Sequence, residues 1–299
     1  MSGVQLQIPG DAPAFAGQVV EIINSVLGSS SQKLSSEDAA RAIDELFNQQ
    51  YQKDGTAGSF LWWFWDLVHD LALQIPYNSQ EQEQLTAVIK SLNDLPPKTV
   101  SLGQEWGTDG ADSVPVWTGL PMFGNTFREK LDTVNLQTSE EQDKQKATNL
   151  QAYAARVAGL GLVPFEIYAI WASVDALEGT MKPIRGGPDE VDSDPSAVPD
   201  ISFKVAIAAN WMKYAGHRLY GRDEEVHGAT AGPLWKLDKK EAVKLHRKLR
   251  GTDGLCSDRW GLWKERFATI RDAEGVDDAA RKDAGAALDA MEQVEQGRK

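Results

Sequence analysis

The chain is 299 residues long, 41% hydrophobic, with a net charge of −13. That length and apolar content bury a sizeable core without disulfide or metal staples. So acidic a chain repels phosphate backbones, which disfavours nucleic acid as a partner of the whole molecule. Cys256 is the only cysteine, which excludes an internal disulfide and any Cys-based zinc or iron–sulfur site.

Apolar residues recur at helical spacing from end to end. Phe15, Val19, Ile22, Ile23 and Val26 mark a first helix that stops at Gly28. Ser35, three residues before Asp38, starts a second with Ile43, Leu46 and Phe47 on one face. A third runs from about Ser59 to Ile75 and is stopped by Pro76. Ser79 and Gln82 open a fourth, which Pro96 and Pro97 end. Residues 98–121 read as an irregular loop, pinned to the core by Trp106 and Trp117. A polar helix after Ser139 turns apolar at Leu150, Tyr153 and Val157. Pro164 starts the next, which reaches Glu178.

Residues 179–200, rich in glycine, proline and acids, read as a mobile excursion. Asp200 caps a helix to about Tyr220, Asp238 and Glu241 box another, and Ser257 opens the one with Trp260, Trp263 and Phe267. An Ala- and charge-rich helix follows from about Asp277. Gly-Thr-Asp-Gly, at 107–110 and at 251–254, reads as a turn in both places. No β-alternation is found, and no Gly/Ser/Pro linker cuts the chain. The expectation is an all-α protein: one helical domain over 1–299, of about ten helices, with irregular loops near 98–121 and 179–200.

The longest apolar run, Phe60 to Trp65, is followed at once by Asp66, so no membrane-spanning helix is expected. Residues 1–13 have neither a basic nor an apolar signal region, so no secretory signal is expected either. The setting read from this is intracellular: cytoplasmic first, nuclear if the basic stretch Lys236–Arg250 acts as an import signal. That stretch carries seven Lys/Arg against Asp238 and Glu241 and reads more simply as a solvated helix face. Charge is unevenly spread: residues 1–120 hold 5 Lys+Arg against 15 Asp+Glu.

The motifs of familiar chemistry are missing. There is no glycine-rich phosphate loop, no His-Glu-x-x-His and no Gly-x-Ser-x-Gly. The acids at 189–194 lack the glycine and closing glutamate of a calcium loop. Asp277-Asp278-Ala-Ala-Arg281 lacks the second acidic position of a terpene cyclase's magnesium motif. No cofactor and no metal are expected.

Three helices carry more than a core face. In Trp62-Trp63-Phe64-Trp65-Asp66-Leu67-Val68-His69-Asp70, projection at about 100° per residue puts Phe60, Leu61, Phe64, Leu67, Val68, Leu71 and Ile75 on the core side. Trp62, Trp65, Asp66 and His69 gather opposite, where a surface helix should be plainly polar. In the helix from 201 to 220, Phe203, Ile207, Asn210, Tyr214 and His217 gather behind the core stripe in the same way. Glu178 projects among Ile167, Trp171 and Val174 at a helix C-terminus, where the dipole disfavours a negative charge. It wants a cationic partner or a raised pKa.

The simpler reading of these faces is a second packing layer, with buried polar groups bonded to one another or to backbone. The sharper one is an aromatic pocket between helices. In that pocket Trp62, Trp65, Trp171, Asn210, Tyr214 and His217 would contact a ligand, and Asp66, His69 and Glu178 would be the catalytic candidates. Trp62 and Trp171 are expected to be largely buried.

Several landmarks sit on these same segments: Leu61-Trp62-Trp63 with Trp65-Asp66, Ile75-Pro76-Tyr77, Leu120-Pro121, and Asn149-Leu-Gln-Ala-Tyr153-Ala-Ala-Arg156. Further on come Tyr168-Ala-Ile-Trp171 with Leu177-Glu178, Gly232-Pro-Leu-Trp235, and Ser257-x-x-Trp260-x-x-Trp263-Lys264. Across roughly residues 36–273 the chain resembles an uncharacterised family of fungal helical proteins, the domain of unknown function numbered three-six-three-two. The resemblance implies a fungal source and a helical fold, with the first and last helices as extensions. It implies no activity and no catalytic residues.

The reading that follows is a helical binding or interaction module for a small apolar molecule or a partner protein. The alternative is a small-molecule enzyme using Asp66 and His69, or Glu178, as general acid/base. A third is a structural or regulatory protein docking through the basic stretch. A wet cavity touching two of Asp66, His69, Glu178 and His217 would favour the enzyme; dry packing there favours the module.

Overall fold

A computed structural model describes residues 5–8, 10, 12–28, 33–106, 113–134, 140–236, 240 and 252–297. The fold is all-α, with ten α-helices and two small hairpins among the described residues. The box at Asp238 and Glu241, nearly all of the basic stretch, the start signal at Ser139 and the turn at 107–110 lie outside the described residues, as does Gly251 of the second turn. The chain forms two compact units, 1–163 and 164–299.

The first unit holds α1 (Ala16–Leu27), α2 (Ser36–Asp54), α3 (Gly58–Gln74), α4 (Gln80–Asn93), α5 (Phe123–Thr133) and α6 (Glu141–Gly159). Ser35 caps α2 as expected, its Oγ accepting from the Asp38 N–H at 3.0 Å. Ser79 precedes α4 without a side-chain cap bond. Gln82 instead donates to the carbonyls of Ile75 (2.9 Å) and Asn149 (3.1 Å), tying the turn after α3 to α6.

Where the sequence reads an irregular loop, β1 (Thr99–Ser101) pairs antiparallel with β2 (Ser113–Pro115). This hairpin is fastened to the start of α3: the N–H groups of Ala57 and Gly58 donate to the carbonyls of Ser101 (2.8 Å) and Leu102 (3.0 Å). Trp117 is buried and donates to Asp44 at 2.7 Å, so it pins the loop as expected.

α3 packs against both α5 and α6. Its expected core face is buried throughout, from Phe60 to Ile75. On its second face Trp65 and His69 are buried as well, because α5 packs there, while Trp62 and Asp66 are half-buried. No helix is expected over 122–138 from the sequence, so α5 is a helix beyond those expected.

The second unit holds α7 (Glu166–Leu177), α8 (Ile201–Leu219), α9 (Ser257–Asp272) and α10 (Asp278–Gly297). The expected mobile excursion contains a hairpin, β3 (Thr180–Lys182) with β4 (Glu190–Asp192), in the register Met181↔Val191. Asp200 holds the N-cap of α8 in left-handed backbone, φ 54°, and makes no side-chain cap bond. α10, which the sequence treats as an extension, packs along α8 and α9. Ala280, Ala284, Ala287, Leu288 and Met291 are all buried on it. Its small residues allow close helix approach, so it belongs to the core of this unit.

Candidate functional site

In the first unit the polar groups of α3 meet α5 and α6. His69 is wholly buried, so it is no free surface histidine. Its ring lies 4.8 Å from Phe123, 5.6 Å from Phe127 and 5.8 Å from Tyr153. Nε2 lies 3.1 Å from Thr126 Oγ1 and 3.3 Å from the Phe123 carbonyl. A carbonyl only accepts, so the neutral ring carries its proton on Nε2 and presents a bare lone pair on Nδ1. Burial pushes the imidazole down to about 3, against the pull of the Phe123 carbonyl and with the help of the Lys130 charge. Among the two outcomes open to a buried His beside a carboxylate, desolvation wins.

Asp66 does not bond this imidazole. Lys130, from α5, lies 2.9 Å from the Asp66 carboxylate and 2.7 Å from that of Asp70. Burial pulls the Lys130 ammonium down, but its bonds to Asp70 and Asp66 outweigh that and it titrates above its ordinary value. Acid and imidazole, three residues apart on α3, are therefore satisfied by different partners on the same neighbouring helix.

Trp65 is wholly buried, edge-on to Phe64 (4.8 Å), Phe123 (5.1 Å) and Trp117 (6.0 Å). Three polar atoms around Phe123 have no hydrogen-bond partner among the described residues: Trp65 Nε1, His69 Nδ1 and Tyr153 Oη. Each such buried atom costs about 1–3 kcal/mol. Three together rival a domain's whole stability of about 5–15 kcal/mol.

Trp62 and Trp63 point elsewhere. Trp62 is half-buried rather than largely buried, its ring 5.3 Å from that of Trp106. Trp106 sits over Gly58, where an added Cβ would come within 2.2 Å of its Cδ1. The glycine at the start of α3 is what lets that indole lie down. Trp63, the residue after Trp62 on α3, is 41% exposed. Trp62, Trp63 and Trp106 thus all keep part of their surface open to solvent.

In the second unit Glu178 ends α7 wholly buried. It has the cationic partner its position demands: Arg259 Nε, from α9, donates to its Oε1 at 2.8 Å. Trp263 Nε1 donates to the same oxygen at 2.8 Å, and the Gly232 N–H to Oε2 at 2.6 Å. Only glycine fits at 232, since a Cβ there would lie 2.5 Å from Glu178 Cβ. Arg259 gives its remaining bonds to the carbonyls of Asp253, Gly254 and Thr230, with Trp235 and Trp263 on its faces. Among the described residues the carboxylate accepts three bonds and the guanidinium donates four.

The other candidates of this unit are scattered. Trp171 is half-buried rather than largely buried and donates to the Gly228 carbonyl at 3.1 Å. Asn210 is buried and donates to the Ala206 carbonyl at 2.7 Å. Tyr214 is half-buried, with Lys213 Nζ 4.8 Å from its ring centroid, and His217 is exposed.

Thr126, Lys130 and Arg259, the groups that satisfy His69, Asp66 and Glu178, were missed in the sequence. Phe123, Phe127 and Leu131, spaced i, i+4, i+8 after Pro121, were the available signal for α5. Nothing in the local pattern marks Arg259 as the partner of a residue 81 positions away. Among the described residues no group of three or more His, Cys, Asp and Glu could hold a metal ion, and no helix is long and apolar enough to cross a membrane.

The family model described as "Protein of unknown function (DUF3632)" matches residues 65–267. The chain belongs to this family. The matched stretch takes in Trp65, Asp66 and His69 at one end and the Glu178–Arg259–Trp263 cluster at the other, while α10 lies beyond it. No curated protein and no solved structure matches the chain.

Proposed function

We propose that this DUF3632 chain is a helical interaction module that receives a partner protein on the patch formed by Trp62, Trp63 and Trp106. The observation that carries the reading is Trp63: a large aromatic side chain, 41% exposed, next in the helix to Trp62, whose half-buried ring packs with that of Trp106. Tryptophan is the residue type most enriched where a few contacts carry most of the binding energy. The patch is preorganised, because Trp106 is held on Gly58 and the hairpin is bonded to the start of α3. Residues 1–120, which supply all three tryptophans, carry 5 cations against 15 acids, which suits a partner that presents an apolar anchor within a basic segment.

The general acid/base alternative has less support. His69 and Glu178 are wholly buried, and Glu178 and Asp66 are each held by a cation. A proton carrier has to reach the group it serves. The setting we infer is intracellular and cytoplasmic, supported by the lone cysteine and the acidic charge; the resemblance adds a fungal source. Mass spectrometry of molecules co-purifying with the wild-type chain and with Trp63→Ser tests the reading. A protein recovered with wild type and lost with the variant is the expected result. Identical recoveries, or a small apolar molecule in place of a protein, would overturn it.

A further inference from the structure

We propose that Trp65, His69 and Tyr153 enclose a binding site for one internal water molecule beside Phe123. Trp65 and His69 stand one turn apart on α3 and both pack on Phe123, at 5.1 Å and 4.8 Å. Tyr153, from α6, lies 5.8 Å from the His69 ring and 6.0 Å from Phe123. All three side chains are wholly buried, and each keeps one polar atom unpartnered among the described residues.

Their chemistry is complementary to a single water. The Trp65 indole N–H can only donate, and the Tyr153 hydroxyl has a proton to give. His69 Nδ1, with the ring proton committed to Nε2, can only accept. A water accepts from the indole and the phenol on its two lone pairs and donates one proton to the imidazole. Three bonds are about what a buried water makes. The Lys130, Asp66 and Asp70 charges pair with one another instead, so a neutral guest suits the site better than an ion.

The sign of a conservative substitution tests this. Tyr153→Phe keeps the ring and removes one partner. With a water bound, the melting temperature falls and the Trp65 indole N–H, assigned with Trp65→Phe, shows a water cross-relaxation peak of the long-lived sign in NMR. If the three atoms are dry, Tyr153→Phe removes an unpaired hydroxyl, the melting temperature rises, and no water peak appears. Either of these last two results would overturn the proposal.

Discussion

Arg259 donates from Nε to Oε1 of Glu178 at 2.8 Å, with both side chains wholly buried and further bonds to the pair made by backbone and by Trp263. Such a pair fastens the end of α7 to α9 and to the segment around Gly232. Its net worth against an apolar pair is small, but a lone charge left behind is costly. Glu178→Ala and Arg259→Ala are each expected to lose about 3–5 kcal/mol in denaturant unfolding. Replacing both by methionine is expected to cost less than either single change. Single changes near zero would mean that the site is wet.

Lys130 sits between Asp66 and Asp70. Lys130→Met leaves two mostly buried carboxylates facing each other, and a loss of about 1–3 kcal/mol is expected. Adding Asp66→Asn to that variant should recover part of it. If the single variant is as stable as wild type in urea, the cluster does no structural work.

His69 sets a pH dependence. Its folded pKa of about 3 lies below the unfolded value of 6.5. Between those values the unfolded chain binds a proton that the folded chain refuses, so stability is complete above pH 6.5 and is lost as pH falls towards 3. The slope from this one group is about 1.4 kcal/mol per pH unit. Unfolding curves at pH 7 and pH 5 should differ accordingly, and His69→Gln should flatten the difference. A His69 that titrates near 6.5 by NMR would contradict the burial.

Much of the helical layout was legible, because apolar periodicity and proline or glycine stops act locally. Ile43, Leu46 and Phe47, and the run Phe60 to Ile75, are buried where their spacing puts them. The need of Glu178 for a cation was legible too, from its place at a helix end. What was not legible is which element covers a second face. Trp65 and His69 look surplus on α3 until α5 is in place, and Arg259 meets Glu178 only through tertiary packing. The hairpins were missed because three-residue strands carry too little alternation to register.

Gly58 controls the patch. In Gly58→Ala the new methyl would meet Trp106 Cδ1 at 2.2 Å and the Leu102 carbonyl at 2.6 Å. The indole has to lift, with a loss of about 1–3 kcal/mol from overpacking. Trp106 should move into water, seen as red-shifted tryptophan fluorescence. Unchanged fluorescence together with unchanged stability would show that Trp106 does not rest on α3.

The central claim is that the tryptophan patch of α3 is the contact surface. Its most direct test is calorimetric titration of the recovered partner protein into wild type and into Trp63→Ser, with circular dichroism confirming equal folding. The account predicts at least tenfold weaker binding for the variant, about 1.4 kcal/mol or more, as befits an exposed aromatic anchor. Equal affinity for the two proteins would contradict it.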